Sequence, residues 1–324
     1  MKVFRSIEEL ASLCGPVHLA IGVFDGVHRG HREVIGAATA GAAVDGGSSV
    51  VLTFDPHPAV VLRPDKAPAI LTSTQTKTRL LAERKVDAVL LHPFNREVAG
   101  CRARDFIESL VSACAPLAQI AVGWDWTFGR NREGDTAMLR SLAEELGFAA
   151  TVLDAVHDGG RIISSTAIRA ALADGDVAQA ARLLGRGHSV AATVSTGCQL
   201  GRQLGFPTAN LPVEGMEVLL PPNGVYAVRA SGADGRLLDG VANLGVRPTV
   251  DTGSVRLLEV HLFDYSGDLY GKELRVSFID RLRPEMKFDG IEALKTQIAA
   301  DLTAARVVLG DWSQNGSPND GTFL

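Results

Sequence analysis

The sequence predicts an α/β protein in which a parallel sheet covered by helices precedes a small antiparallel β-barrel with a terminal helix. In the first 185 residues, short apolar runs alternate with segments of helical period, which is typical of βαβ units. After residue 186, extended segments rich in Val and Leu are separated by Gly, Pro, Asn and Asp. The length of 324 residues suits two ordinary domains.

The N-terminal half is expected to form a parallel sheet covered on both faces. Its predicted strands are Val17–Phe24, Ser48–Phe54, Val86–Leu91, Ala118–Gly123 and Ala149–Leu153. Its predicted helices are Arg29–Ala43, Thr74–Lys85, Ala103–Ala115 and Asp135–Leu146. Two shorter helices, Ser165–Ala173 and Asp176–Leu184, are separated by Asp174-Gly175, which suits a C-cap followed by an N-cap.

The C-terminal half is expected to close into a barrel, which removes exposed sheet edges. Its predicted strands are His188–Thr196, Gly224–Ala230, Leu237–Leu244, Arg256–Asp264 and Glu273–Arg281. A helix over Gly290–Leu309 ends the fold, and the Gly-, Ser-, Asn- and Asp-rich residues beyond it predict a disordered tail. The predicted domains are therefore residues 1–185 and 186–310, followed by a tail over 311–324.

Composition limits the classes of function. Hydrophobic residues make up 46% and charged residues 21%, and no apolar run approaches the ~20 residues that a membrane span needs. Glu8 and Glu9 stand where a signal peptide would be apolar, so we expect a cytoplasmic protein without a membrane partner. The net charge of −5 argues against broad nucleic-acid binding. The four cysteines lack CxxC spacing and indicate neither a zinc site nor a disulfide scaffold.

The motif GVFDGVHRGH, residues 22–31, lies where the first predicted strand runs into the first helix. Glycines allow the backbone to approach a phosphate, and the helix N-terminus favours negative charge. His28 and His31, three residues apart, add two donors at the same place. Either histidine alone would more often be structural, but together they indicate a site for in-line attack at phosphorus. The turn contains neither a Walker A nor a GxGxxG motif.

A second motif, ISSTAIR, residues 163–169, opens a short helix later in the same half. Taken alone, its hydroxyls predict an ordinary helix N-cap. In an open α/β sheet, however, loops at the carboxyl ends of the strands meet in one crevice. The start of this helix could therefore face the histidine turn across a triphosphate.

Together, the HxGH turn and the ISSTAIR element resemble the nucleotidylyltransferase superfamily, which has a Rossmann-like fold. The addition of TFDPHP, residues 53–58, resembles its FAD synthetase branch. The resemblance implies catalytic roles for His28 and His31. It also implies a set of residues that bind ATP: Gly22, Phe24, Asp25, Gly26, Gly30, Ser164, Ser165, Thr166 and Arg169.

The same resemblance implies a flavin side of the N-terminal site. This side would be formed by Phe54, Asp55, His57, Asn131 and Asp135. Asp-Pro-His-Pro is also an ordinary turn sequence. Two departures from the family pattern, Asn95 and the sequence Trp124-Asp125-Trp126, affect the expected flavin contacts and not the ATP motifs.

In the C-terminal half, GRQLGFPTAN, residues 201–210, joins a strand to a loop. Thr208 and Asn210, two apart on extended backbone, point the same way and could share one Mg²⁺ and one phosphate. An Asn-Leu-Pro turn is the alternative. Farther along, Glu259 lies in an otherwise apolar strand. If it faces inward it is a candidate general base, and if it faces out it is an ordinary charged strand residue.

The ordered motifs GFPTAN, PNGVYAV, NLGVRPT, LEVHLFD, DLYGK and RLRPEMKF resemble bacterial riboflavin kinase along the whole predicted barrel. The resemblance implies that Glu259 activates the ribityl hydroxyl. It implies ATP or flavin binding by Gly201, Phe206, Pro207, Thr208 and Asn210, with Thr208 and Asn210 also binding Mg²⁺.

The two resemblances together cover about residues 1–310, in the order of a fused bacterial enzyme. They imply phosphorylation of riboflavin to FMN and adenylylation of FMN to FAD, with ATP consumed and pyrophosphate released. One alternative is a nucleotidylyltransferase that acts on another phosphate ester, with the barrel as a specificity module. Another is a flavin-binding or storage protein without turnover.

Overall fold

The computed structural model describes residues 1–114, 116–197, 201, 204–232, 235–248 and 254–312. Contacts within the chain group it into two compact units, Met1–Ser165 and the residues from Thr166 onward. The two short helices between residues 165 and 184 group almost entirely with the second unit, whereas the sequence prediction places its domain boundary after residue 185. Residues 313–324 of the predicted tail lie outside the described residues.

The first unit is built on a six-stranded parallel sheet with the order β1-β4-β3-β2-β5-β6. Its strands are β1 (Lys2–Phe4), β2 (Val17–Ile21), β3 (Ser48–Asp55), β4 (Ala88–Pro93), β5 (Leu117–Gly123) and β6 (Ala149–Leu153). Strand β2 is buried along its whole length, because both faces of the sheet are covered. The chain runs outward from β2 through β3 to β4 and then returns to the other side of β2. This topology creates a crevice at the carboxyl end of β2.

Six helices accompany this sheet. They are α1 (Arg29–Asp45), α2 (Pro58–Leu62), α3 (Thr74–Ala82), α4 (Arg96–Gly100), α5 (Ala103–Ala113) and α6 (Thr136–Leu146). Short 3₁₀ turns occupy Ile7–Ser12, Pro64–Lys66 and Arg130–Arg132, and a small hairpin pairs β7 (His157–Asp158) with β8 (Arg161–Ile162). The predicted parallel sheet is confirmed, while β1, α2, α4 and the hairpin were absent from the prediction.

The second unit contains a six-stranded antiparallel sheet with the order β10-β13-β12-β11-β14-β9. Its strands are β9 (His188–Thr193), β10 (Ala209–Pro212), β11 (Gly224–Ser231), β12 (Leu237–Pro248), β13 (Ser254–Leu262) and β14 (Glu273–Arg283). An isolated antiparallel bridge between Ser195 and Asn210 joins the two edges, so the sheet curls into a barrel. Its helices are α7 (Ser165–Ala173), which starts at the boundary between the units, α8 (Val177–Leu184) and α9 (Ile291–Asp311).

Helix α9 covers part of the outer face of the barrel. Its residues Ala305 and Leu309 pack in one apolar cluster with Ala227, Phe263 and Ile279 of the barrel. On the opposite face of β13, Leu258, Val260 and Leu262 are buried in the barrel core. The barrel therefore has a closed apolar interior, and one outer face is roofed by a helix.

Candidate functional sites

The turn between β2 and α1 has an unusual backbone. Phe24, Gly26 and Val27 have φ values of 49°, 88° and 41°, in the left-handed region that favours glycine. Non-glycine residues in this region are strained by about 1–3 kcal/mol each, and such strain persists only where surrounding contacts fix it. The predicted phosphate-binding motif is therefore a rigid, specifically shaped turn at the crevice of the sheet.

Asp25 anchors this turn from within the protein. Its buried carboxylate accepts hydrogen bonds from the backbone N–H groups of Leu71 at 2.9 Å and Thr72 at 3.1 Å. The Thr72 hydroxyl in turn accepts a hydrogen bond from the N–H of Gly26 at 3.1 Å. Asp25, predicted as an ATP-binding residue, thus holds the shape of the turn through its side chain.

His28 and His31 are stacked at the N-terminus of α1, with ring centroids 3.5 Å apart. His28 is the N-cap residue, and its Nδ1 accepts a hydrogen bond from the N–H of His31 at 3.3 Å. A Cβ atom on Gly30 would lie 3.3 Å from Cε1 of His28, so glycine leaves room for the stacked pair. Phe24 packs edge-on against His31. The two imidazoles therefore lie where the helix dipole already favours an anion.

The ISSTAIR element meets the same turn through Ser165. The Ser165 hydroxyl donates a hydrogen bond to the carbonyl oxygen of Asp25 at 2.9 Å. The start of this helix therefore contacts the histidine turn. Helix α7 begins at Ser165. Thr166 and Arg169 belong to the second unit, and their roles stay predictions along with that of Ser164.

The first predicted flavin segment follows the end of β3. The Phe54 ring lies 5.4 Å from that of Phe94, in an edge-on arrangement. Asp55 accepts hydrogen bonds from the hydroxyl of Thr74 at 3.1 Å and from Arg5 at 3.3 Å. His57 is the N-cap of α2, where its Nδ1 accepts from the N–H of Ala59 at 3.1 Å. All three predicted residues thus surround the carboxyl end of β3.

The second predicted flavin segment joins β5 to α6. Asp135 caps α6, and its carboxylate accepts from the N–H of Met138 at 2.9 Å. Asn131 has a φ of 54°, and the nearby Phe128 stacks on Trp126 with ring centroids 4.3 Å apart. Capping and loop geometry give these residues structural functions of their own, so their flavin contacts stay predictions.

Lys77 of α3 is a buried residue of this site that the sequence analysis missed. Its Nζ donates hydrogen bonds to the carbonyl oxygen of Val23 at 2.9 Å and to the hydroxyl of Thr53 at 3.4 Å. Burial lowers the pKa of the ammonium group, and the nearby carboxylates of Asp25 and Asp55 oppose this shift. In the sequence, Lys77 is marked only by its position on α3, because it lies on the same buried face as Leu80 and Leu81.

In the second unit, the predicted kinase residues line a cavity of about 320 Å³ between the barrel and α9. Five of its lining residues were predicted from the sequence: Gly201, Phe206, Thr208, Asn210 and Glu259. Its apolar wall includes Val241 of β12 and Leu294, Ile298 and Leu302 of α9. The cavity therefore combines a broad apolar surface with a few convergent polar groups, as small-molecule sites usually do.

The polar groups of this cavity form a row across neighbouring strands. Glu259 of β13 pairs with Asn210 of β10 on one side and with Asn243 of β12 on the other. The row continues through Val225 of β11 to Arg283 of β14, and all five side chains line the cavity. Directly opposite residues share a face of a sheet with Cβ atoms about 4.5–5.5 Å apart. Register alone thus brings these residues together.

Glu259 faces outward from the barrel, yet its side chain lines a cavity. It shares its face with Val241 and Ala227, and Ala227 packs against α9, whereas Leu258 and Val260 lie in the core. From the sequence, Glu259 was expected to be a catalytic carboxylate if it faced the barrel interior, or an ordinary charged residue if it faced outward. Neither alternative anticipated an outer face that a helix covers.

Arg283 and Asp301 link the barrel to the roof of the cavity. Arg283 binds the Asp301 carboxylate of α9 with Nη2–Oδ2 at 2.8 Å and Nε–Oδ1 at 3.0 Å. Gln297 donates a further hydrogen bond to Asp301 at 2.9 Å. Asp301 was not among the predicted residues, since a lone aspartate within a helix carries no distinctive pattern.

Thr208 also lines a second cavity of about 570 Å³ on the neighbouring side of the barrel. This cavity is bordered by Pro207 and by the turn over residues 265–270. Nδ1 of His261 lies 2.8 Å from the carbonyl oxygen of Pro207, which ties the loop to β13. Phe206 donates its N–H to the carbonyl of Gly201 at 2.7 Å, and a Cβ on Gly201 would come within 2.5 Å of the Phe206 oxygen. Thr208 thus stands where the two cavities adjoin.

The side-chain oxygen atoms of Thr208 and Asn210 suit a magnesium ion that arrives bound to a nucleotide. Within the described ranges, no three His, Cys, Asp or Glu residues are grouped as an all-protein metal site would require. Mg²⁺ usually takes only one or two protein oxygens and completes its shell with water and phosphate. A Cβ on Gly197 would lie 2.5 Å from Nδ2 of Asn210, so glycine leaves the space in which the amide of Asn210 sits.

The fold and the two sites define an enzyme with two nucleotide-handling centres, one at a helix N-terminus and one beside a carboxylate in a roofed cavity. Comparison with family models gives each half a match: FAD synthetase over residues 13–167 and riboflavin kinase over residues 184–309. The chain belongs to the family of bifunctional riboflavin kinase/FMN adenylyltransferases.

Several curated relatives carry that description. The protein of Escherichia coli strain K12 is 42% identical over 312 residues, which cover 96% of this chain and 98% of that protein. The protein of Pseudomonas fluorescens is 40% identical, covering 95% of this chain and 98% of that protein. The protein of Bacillus subtilis strain 168 is 34% identical, with coverages of 87% and 89%.

One solved structure is similar along nearly the whole chain. It is a crystal structure described as a macrolide-efflux protein from Streptococcus pneumoniae, with a TM-score of 0.83 and 29% identity. The match covers 94% of this chain and 99% of that one. In the part of this chain that the structure describes, none of the helices is long and apolar enough to cross a membrane.

Proposed function

We propose that the chain makes FAD from riboflavin in two ATP-dependent steps, each at its own site. The second unit phosphorylates riboflavin to FMN, and the first unit transfers AMP from ATP to FMN with release of pyrophosphate. The observation that carries this division is that the histidine turn lies in the first unit, while the row of residues around Glu259 lies in the second. Because both steps consume ATP, the cytoplasm is the compartment in which we expect the enzyme to work.

The kinase step uses the two cavities that adjoin at Thr208. The flavin ring occupies the apolar cavity under α9, and the nucleotide occupies the cavity bordered by residues 265–270. Glu259 accepts the proton of the ribityl 5′-hydroxyl. The hydroxyl oxygen forms a bond to the γ-phosphorus of ATP, the bond from that phosphorus to ADP breaks, and ADP leaves. A positioned general base of this kind contributes about 10²–10⁴-fold to a rate.

Thr208 and Asn210 are the residues that would hold Mg²⁺ for this step. When bound, the ion neutralises charge on the phosphate oxygens of ATP. The Asn210 amide lies in the row next to Glu259 and makes a hydrogen bond to the Thr208 carbonyl at 3.5 Å. The general base and the phosphate-binding residues are therefore neighbours on β13 and β10. Gly201 and Phe206 line the cavity under α9, and Pro207 lines the adjoining one.

The adenylylation step uses the turn before α1. A phosphate oxygen of FMN attacks the α-phosphorus of ATP, a new P–O bond forms, and the bond to pyrophosphate breaks. His28 and His31 donate hydrogen bonds to the phosphate oxygens, while Gly22, Gly26 and Gly30 allow the backbone to approach them. Phe24 and Asp25 keep the turn in shape. No covalent enzyme intermediate is needed, since positioning and charge stabilisation carry the reaction.

Other residues complete this site. Ser164 and Ser165 hold the triphosphate while pyrophosphate leaves. Phe54, Asp55, His57, Asn131 and Asp135 bind FMN, which would also place its phosphate near the turn. Support comes from the Ser165–Asp25 hydrogen bond and from the grouping of Phe54, Asp55 and His57 at the end of β3.

One incubation tests the proposal as a whole. The purified chain is supplied with riboflavin, ATP and Mg²⁺, and flavins and pyrophosphate are followed over time. FMN should rise first and FAD should follow with one pyrophosphate per FAD. A flavin storage protein would leave riboflavin unchanged, and a transferase for another phosphate ester would make no FAD from supplied FMN.

A further inference from the structure

Lys77 occupies a central place in the first unit although neither activity requires a lysine there by its chemistry. Its side chain is buried, with 5% of the residue's surface exposed. Its Nζ contacts the Val23 carbonyl and the Thr53 hydroxyl, and that hydroxyl itself donates to the Val23 carbonyl at 2.8 Å. Burial of an ammonium group is costly unless partners compensate it. A lysine at this position therefore has a specific task.

The segment Leu71–Lys77, which we name the brace, contacts both halves of the adenylylation site. At its start, the N–H groups of Leu71 and Thr72 hold the carboxylate of Asp25 in the phosphate-binding turn. In its middle, Thr74 donates to Asp55 in the flavin segment at 3.1 Å. At its end, Lys77 contacts Val23 of the turn and Thr53 of β3 with a single amine.

We propose that Lys77 is a positioning residue for adenylylation, whose charged amine sets the position of the phosphate-binding turn relative to the flavin segment of β3. Val23 is directly followed by Phe24, which has the strained φ of 49°, and the Val23 carbonyl is the oxygen that Lys77 holds. Thr53 directly precedes Phe54 and Asp55. Movement at Lys77 would therefore change the relative position of both segments.

The consequence for the reaction follows from geometry. A phosphate oxygen of FMN and the α-phosphorus of ATP must approach to about 3–3.5 Å before they can react, and a misplacement of about 1 Å can cost ~10²-fold in rate. Loss of the Lys77 amine would remove the donor that the Val23 carbonyl and the Thr53 hydroxyl share. It would also remove a positive charge close to the carboxylates of Asp25 and Asp55. Both effects loosen the turn.

This inference rests on the proposed adenylylation site, and its test uses the full chain with both reactions measured in one preparation. In Lys77→Met, kcat for FAD formation from FMN and ATP should fall by about 10²-fold. The KM values for ATP and FMN should change far less, because a positioning residue acts through the turn and β3 and not by binding a substrate. Riboflavin phosphorylation in the second unit should be unchanged, which shows that the effect is confined to the first unit. Lys77→Arg, which keeps a charged donor, should recover most of the rate.

A pH profile separates positioning by charge from a purely structural role. Asp25 and Asp55 are the charged groups that face the amine, and burial lowers the pKa of Lys77. Wild-type FAD formation should therefore decline at alkaline pH as the amine loses its proton. The decline should move to higher pH in Lys77→Arg, because arginine stays protonated. If the role of Lys77 were only structural, the alkaline decline in FAD formation would occur at the same pH in wild type and in Lys77→Arg.

Controls make the outcome decisive. Lys85→Met replaces an exposed lysine shortly after the same helix and should alter neither reaction. If Lys77→Met does not fold, Lys77→Gln keeps a donor without the charge and should still show a clear loss in kcat. A wild-type kcat in both the Met and Gln variants would overturn the inference. If the wild-type chain itself makes no FAD, the proposed function fails instead.

Discussion

The two sites of the chain are built in different ways. In the first unit, one turn of ten residues supplies the two histidines and the glycines of the phosphate-binding motif, and its shape comes from backbone conformation and the end of a helix. In the second unit, the row from Asn210 through Glu259 to Arg283 is collected from five strands by register. The first site therefore depends on local backbone geometry, while the second depends on long-range pairing.

The two sites should therefore be sensitive to different kinds of substitution. A strained turn is sensitive to the contacts that hold it, such as those of Asp25 and Lys77. For the cross-strand row, we expect changes in its surroundings to matter less than the loss of one of its polar side chains. Because the two reactions take place on one polypeptide, each activity serves as the internal control for the other.

The largest effect is expected from Glu259→Gln. Glutamine keeps the size of the side chain but cannot accept the proton of the ribityl hydroxyl, so FMN formation should fall by about 10³-fold. Adenylylation of supplied FMN should continue at the wild-type rate, as HPLC of the flavins would show. Glu273→Gln, an exposed change on β14, serves as the matched control. Loss of both reactions in Glu259→Gln would contradict the separation of the sites.

His31→Ala should have the reverse effect, slightly smaller in size. Removing one donor at the phosphate-binding turn should lower FAD formation by about 10²-fold, while riboflavin phosphorylation continues. FMN should therefore accumulate in an incubation with riboflavin and ATP. The exposed His157 provides the control substitution to Ala within the same unit. Normal FAD synthesis by His31→Ala would remove the histidine turn from the mechanism.

Asp301→Asn tests how firmly the roof of the second site is attached. The change leaves Arg283, whose side chain is 15% exposed, without a charged partner. Loss of one partner of a buried pair should lower the free energy of unfolding of the second unit by about 3 kcal/mol. The KM for riboflavin should rise because α9 lines the cavity. Denaturant unfolding and kinase kinetics provide the measurements, with the exposed Asp311→Asn of the same helix as control.

The smallest effect is expected from Gly197→Ala, which moves Asn210 without removing it. The new Cβ would lie 2.5 Å from Nδ2 of Asn210, so the amide must shift. We expect kinase activity to fall about tenfold, with a higher Mg²⁺ concentration needed for half-maximal rate, since an oxygen ligand is displaced. Gly310→Ala, where nothing lies within 4 Å of the new Cβ, is the matched control. An unchanged Mg²⁺ requirement would argue against metal binding by Asn210.

The sequence could indicate the phosphate-binding turn of the first site because the information for that turn is local. The glycines and histidines of residues 22–31 are contiguous, and a parallel βαβ pattern places them at the carboxyl end of a strand. Lys77 escaped prediction because its partners, Val23 and Thr53, come from two other segments. Only the fold shows that one amine reaches both.

Much of the second site could be named from the sequence, but its arrangement could not. The alternation around Glu259 left its direction open, because Leu257 shares its face and the apolar residues on both sides look alike. Asn243 becomes its neighbour only through register, and Arg283 joins the same row two strands farther on, through Val225. Asp301 comes from a helix whose packing on the outer face has no signature in its own sequence.

Small elements were missed for similar reasons. Strand β1 has only three residues and exists through its pairing with β4, and β10 has only four and pairs with β13. Such short strands have too few positions to show a period of two. Their formation follows from the edges that neighbouring strands offer.

Strand β13 separates the residues that pack the barrel core from those that line the cavity, which a barrel that binds its ligand inside cannot do. Leu258 and Val260 are buried in the core, while Glu259 and His261, one step away along the same backbone, line the outer cavity. An enzyme that binds its substrate inside a barrel must trade packing density for volume. Here the interior can stay full while the outer pocket is reshaped, so variants designed to accept altered flavins should keep the melting temperature of the parent.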